Sequence, residues 1–330
     1  MSKFHPAILI PEMGSKETLS PDEQDTLDQA DFIEGLCREL NYHPTRIICG
    51  LDLHELKKVL NETRPDCCIN LIEQLDGNES LIPVIPLFLE HMRIPCISPC
   101  ADNYLTTTNK ILCKKVLKKY GINTPAFYDG YVFSEADFIP GKYIIKPVSR
   151  DGSVGVEKTN IIHADSTGAL QECVRENEKN RNCPYFAEQF IKGREFNAAA
   201  ICSKKKNTLF PVSEIQFLNY PRNKPKILCY KSKWIEDSFE FNNTLRTFTL
   251  DDADSELVYN IQKTALDCIK AFELRGFVRI DFRADKDTIH VLEININPCL
   301  MPDCHFMSAG REAGLSNTEI LELIIKRSMD

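Results

Sequence analysis

Two segments near the C-terminus, GFVRIDFR at 276–283 and IHVLEININP at 289–298, alternate apolar with polar residues at the period of extended strands. Alternation puts Arg279, Asp281 and Arg283 on one face of the first strand and Val278, Ile280 and Phe282 on the other. In the second it groups Glu293, Asn295 and Asn297. The link at 284–287 is short enough to predict a hairpin. Such a hairpin has one face for a core and one face of acids, amides and arginines.

A carboxylate on one strand, facing a carboxylate and an amide oxygen two residues apart on its neighbour, suits Mg²⁺, which takes few protein ligands and several phosphate oxygens. Asp281, Glu293 and Asn295 are therefore candidate metal ligands. The pattern alone also fits a half-exposed hairpin with no ligand, so other segments must decide.

The first hundred residues alternate strands with helical patterns: AILI at 7–10, a helix over 26–40, TRIICG, a helix over 54–60, CCINLI, a further helix, then IPCISP. This order predicts a parallel sheet with ligand groups at the strand C-terminal ends, where Asn70, Glu73 and Gln74 fall. From Tyr104 a second unit begins. TTTNKILCKKVLKKYGINTP reads as a helix capped at Thr108 and stopped by Gly121. The strand KYIIKPV and the loop SRDGSVGV follow, then a helix over 168–180. A third unit carries REFNAAAICS, basic hairpin-like stretches over 204–233, a helix over 255–272, the two motif strands and a terminal helix. The expected division is 1–103, 104–186 and 187–330, an α/β unit followed by two α+β lobes.

In the loop, Gly152 and Gly155 let backbone N–H groups approach phosphates, Ser153 adds a hydroxyl, and Lys146 supplies charge from the preceding strand. Two glycines after a strand also make an ordinary tight turn. With 40 basic and 48 acidic residues, the net charge of −8 argues against nucleic acid or an anionic membrane as the main partner. A small ligand fits better. No apolar run reaches the length of a signal peptide core or a membrane span, so a cytoplasmic location is expected. The fourteen cysteines lie mostly in apolar segments, which predicts free thiols acting as small hydrophobes, and none forms a paired C-x-x-C zinc arrangement.

Taken in order, TNK with GINTP, IIKPVSRDGSVGV, FAEQFIKGREFNAAAI, KSKW, and GFVRIDFR with VLEININP resemble the ATP-grasp superfamily, specifically relatives of D-alanine–D-alanine ligase, over about residues 60–330. The resemblance implies an ATP-grasp fold with an N-terminal Rossmann-like domain, and an enzyme that activates a carboxylate as an acyl phosphate and joins it to an amine, releasing ADP and phosphate. Its cofactors would be ATP and Mg²⁺, with Mn²⁺ as a substitute, and its partners small carboxylic acids and amines, in a homodimer.

The same resemblance assigns roles. Lys110 and Lys146 would meet the ATP phosphates under the loop of Gly152, Ser153, Val154 and Gly155. Glu188 would lie near the adenine amino group, with Phe190 and Ile191 in the adenine-side strand and Glu195 on the ribose. Lys233 would reach the γ-phosphate, Asp281, Glu293 and Asn295 would hold two Mg²⁺ ions, and Arg279 would stabilise the oxyanion, with Ser153 completing the catalytic set.

The substrate side departs from the family. Gly152 then Ser153 replaces two serines, Trp234 stands where a tyrosine is carried, and Cys304 stands where a serine binds the acceptor carboxylate. Glu12 or Glu17 would have to replace a glutamate of the N-terminal segment, and NLIEQLDG replaces a histidine–glycine stretch. Glu73 and Asp303 are candidates to hold an amine, and Arg311 a carboxylate. Three alternatives stay open: a D-alanine–D-alanine ligase proper, an ATP-binding regulatory module without turnover, and a ligase whose acceptor is a protein tail or peptide.

Overall fold

The computed structural model describes residues 4–14, 19–129, 138–149, 160–285 and 288–329. Its first unit runs β1 (Pro6–Pro11), α1 (Pro21–Glu39), β2 (Thr45–Cys49), α2 (Leu53–Thr63), β3 (Cys67–Asn70), α3 (Val84–Met92) and β4 (Cys96–Ile97). The strands pair in parallel in the order β2-β1-β3-β4, and β1 and β3 are buried along their whole length. Helix α1 begins five residues before the apolar pattern does. Pro21 opens it, and the Ser20 N–H donates to the Glu23 carboxylate at 2.9 Å, the backbone half of a capping box.

Next come α4 (Ala101–Thr108) and α5 (Lys110–Lys119). The cap of α5 is Asn109, not Thr108: its side chain accepts from Leu112 N at 3.0 Å, whereas Thr108 is the last residue of α4. Asparagine, which accepts without a rotating proton, is the better cap of the two neighbours. A second sheet follows, made of β5 (Phe127–Tyr128), β6 (Gly141–Pro147), β7 (Ile161–Ala164) and, after α6 (Thr167–Arg181), β8 (Tyr185–Gln189). Its order is β5-β8-β6-β7, all antiparallel.

The largest sheet takes β9 (Arg194–Cys202), β10 (Thr208–Leu209), β11 (Ser213–Phe217), β12 (Thr244–Thr247), β13 (Gly276–Asp285) and β14 (Thr288–Asn295), in the order β12-β11-β9-β13-β14 with β10 on β9. Between β11 and β12 lie α7 (Tyr230–Trp234) and α8 (Phe239–Asn242); α9 (Ser255–Ala271) precedes β13, and α10 (His305–Glu312) and α11 (Asn317–Ser328) close the chain. Lys233 thus sits on a short helix rather than on a hairpin.

Alternation on β9 and β13 divides this sheet. Phe196, Ala198, Ala200, Val278, Ile280 and Phe282 enter one core with Ile261, Ala265 and Cys268 of α9 and Leu117 of α5. On the opposite face Ala199, Ile201 and Phe277 pack against Phe306, Ile320 and Ile324 of α10 and α11, and against Ile33 of α1. That face continues past its apolar half into Glu195, Asn197, Arg279, Asp281 and Arg283. Helices cover one half and leave the other to form a cleft.

One glycine is fixed by close approach. Gly193, just before β9, has φ +142°, and a Cβ there would stand 1.9 Å from the Ala284 carbonyl oxygen of β13. Gly193→Ala is expected to destabilise the protein by about 2–3 kcal/mol, because both the backbone conformation and the adjacent strand must shift. Denaturant unfolding checks this; a loss under about 0.5 kcal/mol would show that the strand yields freely.

Candidate active site

The hairpin β13–β14 places Asp281 directly opposite Glu293, and Arg279 opposite Asn295. The ladder then slips: Phe282 pairs with Val291, so Leu292 is an extra residue on β14. The bulge lets Val291 and Ile294, three apart, both face the core, where strict alternation would expose one of them. It also frees the Leu292 carbonyl, which accepts from Lys114 Nζ at 3.3 Å.

The carboxylates are held in place by cations and an amide. Asp281 takes Arg279 through Nε at 2.8 Å and Nη2 at 2.9 Å, and Asn197 Nδ2 at 2.7 Å. Lys110 Nζ lies 3.2 Å from Glu293. Asn295 Oδ1 accepts from Asn297 N at 2.9 Å, which orients the amide oxygen. Among the described residues no three His, Cys, Asp or Glu side chains cluster as a metal site. The set here is two carboxylates and an amide, all hard oxygen donors, and it fits Mg²⁺ when phosphate oxygens and water complete the coordination.

Facing this hairpin is the end of β6. Lys110 N donates to the Val148 carbonyl at 3.0 Å, so the first turn of α5 is tied to the chain leaving β6 and brings Lys110 and Lys146 to one end of the cleft. Lys146 binds Glu188 Oε1 at 2.6 Å, and Lys114 binds Glu188 Oε2 at 2.5 Å. Burial alone would raise the Glu188 carboxyl, but the two ammonium groups outweigh it and hold it down at about 2. Lys114 is only 1% exposed, and burial pushes its ammonium below the ordinary range against the pull of Glu188.

The cleft, open to solvent, holds a cavity of about 100 Å³ and is lined by Lys110, Lys146, Glu188, Phe190, Ile191, Glu195, Lys233, Arg279, Asp281, Glu293 and Asn295. Every one of these was singled out in the sequence. Ile144, Ile227, Leu228 and Leu292 make its apolar walls. Glu195 accepts from Arg283 Nη2 at 2.5 Å; burial raises its carboxyl, and Arg283 opposes that. Arg283 also donates to the Lys226 carbonyl at 2.9 Å, which fixes the segment leading to α7 over the cleft. Lys233, from α7, is pushed below the usual lysine range by burial and then by Arg279, while Asp281, Glu293 and Glu195 oppose that shift. The loop residues Gly152, Ser153, Val154 and Gly155 lie outside the described residues, as does Glu17.

The predicted substrate residues are scattered. Cys304 is the N-cap of α10; a hydrogen bond from Cys299 holds its thiol below the ordinary range despite burial, with help from Arg246 and Arg279. Asp303, exposed, offers its backbone carbonyl to Arg246 at 2.9 Å. Arg311 is turned to Asn317 Oδ1 at 3.0 Å and Ser308 Oγ at 3.3 Å, on the surface between α10 and α11. Trp234 packs on Tyr230 with ring centroids 6.4 Å apart, and Glu73 is exposed in the turn after β3.

A sequence profile described as D-ala D-ala ligase C-terminus matches residues 139–326, more than half of the chain. The chain belongs to this family. A D-alanine–D-alanine ligase of Rickettsia typhi is 27% identical over 303 residues, 87% of this chain and 82% of its own, and one of Aquifex aeolicus is 24% identical over 93% of this chain and 96% of its own. The ligase of Bacillus anthracis, solved in complex with ATP, superimposes with a TM-score of 0.73 at 19% identity, covering 99% of this chain and 97% of that one. VanG D-Ala:D-Ser ligase of Enterococcus faecalis gives 0.70 at 16% identity, covering 99% and 100%. The fold is ATP-grasp, and this D-ala D-ala ligase family member is an ADP-forming, ATP-dependent carboxylate–amine ligase. Among the described residues no helix is long and apolar enough to cross a membrane.

Lys114, Asn197 and Arg246 were not singled out in the sequence. Lys114 left a signal, since it lies one helical turn from Lys110 and beside Cys113 and Leu117 on the buried side of α5. Asn197 and Arg246 left none, because each matters only through the neighbouring strand.

Proposed function

We propose that the cleft binds ATP with Mg²⁺ and transfers its terminal phosphoryl group to a small carboxylic acid, whose acyl phosphate is then attacked by an amine. The observation that carries this is the registered pair Asp281–Glu293 with Asn295, facing Lys110, Lys146 and Lys233 across one cleft. The apolar walls suit a purine, and Glu195 suits a ribose hydroxyl. Asp281, Glu293 and Asn295 would hold Mg²⁺, which supplies charge neutralisation on the transferring phosphoryl group when bound.

The remaining work is positioning and electrostatics. Lys110 and Lys146 offset phosphate charge and, being paired to Glu293 and Glu188, are held in place beforehand. Arg279 commits Nε and one Nη2 donor to Asp281, which leaves its other N–H groups to stabilise the oxyanion formed when the amine adds to the acyl carbonyl. The loop of Gly152, Ser153, Val154 and Gly155 is assigned to the phosphates, as is Lys233.

The relatives bear D-alanine in their names, and D-alanine is included here as one donor and one acceptor among amino acids and small peptides. We place the enzyme in the cytoplasm as a homodimer, which sedimentation measures. The deciding experiment follows phosphate release from ATP and Mg²⁺ across paired panels of carboxylic acids and amines. Turnover with one pair is expected. Fastest turnover with D-alanine in both places would make the enzyme a D-alanine–D-alanine ligase proper, and silence with every pair would favour a regulatory module.

A further inference from the structure

The turn from β14 into α10 carries two thiols, Cys299 and Cys304, neither of which lines the cleft. Both are partly exposed, whereas core thiols such as Cys67, Cys68 and Cys113 are buried and are pushed up by that burial. Cys299 Sγ lies 3.7 Å from Asp25 Oδ2 of α1, accepts from Met301 N at 3.4 Å, and is hydrogen-bonded to the Cys304 sulfur. Cys304 N donates to the Met301 carbonyl at 3.0 Å. The turn thus folds back on itself and sets the two sulfurs side by side.

Their surroundings give them different characters. Cys304 is the N-cap of α10, and the hydrogen bond from Cys299, then Arg246 and Arg279, hold its thiol below the ordinary range against burial. Helix N-termini and nearby cations favour the thiolate, which is the nucleophilic form. Cys299 is shifted the other way, first by that same hydrogen bond and then by burial, so it keeps its proton. Burial also raises the Asp25 carboxyl beside it, which makes Asp25 a better proton acceptor. One sulfur is prepared to attack, and a protonated second sulfur stands next to it with a base in reach.

We propose that Cys299 and Cys304 form a redox site for peroxides, with Cys304 as the attacking thiol and Cys299 as the resolving one. The Cys304 thiolate attacks one peroxide oxygen and breaks the O–O bond; the sulfur becomes a sulfenic acid, and the other oxygen leaves as hydroxide and takes up a proton as water. Cys299 then attacks the Cys304 sulfur, its proton passing by way of Asp25 to the departing hydroxide. An S–S bond forms as the S–O bond breaks. In sum the two thiols lose two electrons and two protons, and hydrogen peroxide becomes two waters. A dithiol reductant reverses the reaction by exchange.

The site is joined to the rest of the molecule at two points. Gln29 of α1 accepts from Leu300 N within the same turn, and Cys304 lies in the field of Arg279. Oxidation removes the negative sulfur near Arg279 and tightens a turn that α1 holds, so turnover should fall. That consequence rests on the ligase reading of the cleft, whereas the redox site itself does not.

The test treats the natural protein with hydrogen peroxide, blocks the remaining thiols by alkylation and maps the peptides by mass spectrometry. A Cys299–Cys304 disulfide that forms ahead of any other and is undone by dithiothreitol is expected. Cys304→Ser should slow oxidation at this site at least about tenfold, and Cys299→Ser should stop at a sulfenic acid on Cys304 that dimedone traps. Alkylation of both cysteines after other thiols have been oxidised, or a disulfide joining different cysteines, would overturn the inference, and the mapping needs no variant to fold. Phosphate release by the oxidised protein should fall at least about fivefold and return with dithiothreitol. Complete oxidation with unchanged turnover would overturn the link to the cleft. Absence of turnover in the reduced protein would count against the proposed reaction instead, and the mapping would still decide the redox site.

Discussion

Asp281→Asn is expected to lower turnover by about 10³-fold, with Glu293→Gln close behind, while both proteins stay folded. The two carboxylates face each other in register, and each substitution keeps shape while removing one of only two negative oxygen ligands. The structural cost should be small by comparison. Asp281 has three hydrogen bonds from Arg279 and Asn197, of which an amide can keep some, and Glu293 is partly exposed beside Lys110. Phosphate release at saturating substrates, with thermal unfolding as the control, reads both effects. Retention of more than about a tenth of turnover in either variant would sink the metal assignment. Chelation of Mg²⁺ should reproduce the loss in the natural enzyme, with recovery on adding Mg²⁺ or Mn²⁺.

Glu188→Gln should be the most destabilising of the conservative substitutions in the cleft, by about 3–5 kcal/mol, because it leaves Lys114 buried without a counter-charge. Lys114 has other partners, Thr124 Oγ1 at 2.9 Å and the Leu292 carbonyl at 3.3 Å, but both are neutral. Adding Lys114→Met to Glu188→Gln should recover much of the loss. Chemical denaturation measures all three proteins, and a single-variant cost under about 1 kcal/mol would show that the buried charge finds relief elsewhere.

The same residue gives a pH dependence. Its folded pKa, about 2, lies below the ordinary 4.5, so its contribution is present above pH 4.5 and is lost as pH falls from there toward 2. That difference corresponds to about 3 kcal/mol. The stability of Glu188→Gln should fall less steeply across this window than that of the natural protein.

Much of the nucleotide side was legible in the sequence because its residues lie within single strands or beside short motifs. Period-two alternation by itself groups Arg279 with Asp281, and Glu293 with Asn295. Lys146 was marked by a strand running into a glycine loop, and Lys110 by the TNK segment of the family resemblance. The details that escaped are those that span elements. The bulge at Leu292 exists to satisfy the core on one face and Lys114 on the other. Asn109 rather than Thr108 caps α5, a choice between adjacent polar residues that local pattern does not separate.

The acceptor end was the least legible. The sequence offered Arg311 as the residue to hold a carboxylate, but the turn into α11 draws that side chain to Asn317. Arg246 was not singled out in the sequence. It reaches the catalytic face only because β12 pairs with β11 in a register that aligns it with Ile215 and Glu195. The carboxylate hairpin of β13 and β14, the family and the reaction type followed from the sequence alone, since alternation and short motifs are properties of neighbouring residues. Tertiary structure alone decided that Asn197 meets Asp281 and that Lys114 meets Glu188, because strand register and helix docking bring together residues that no local pattern relates.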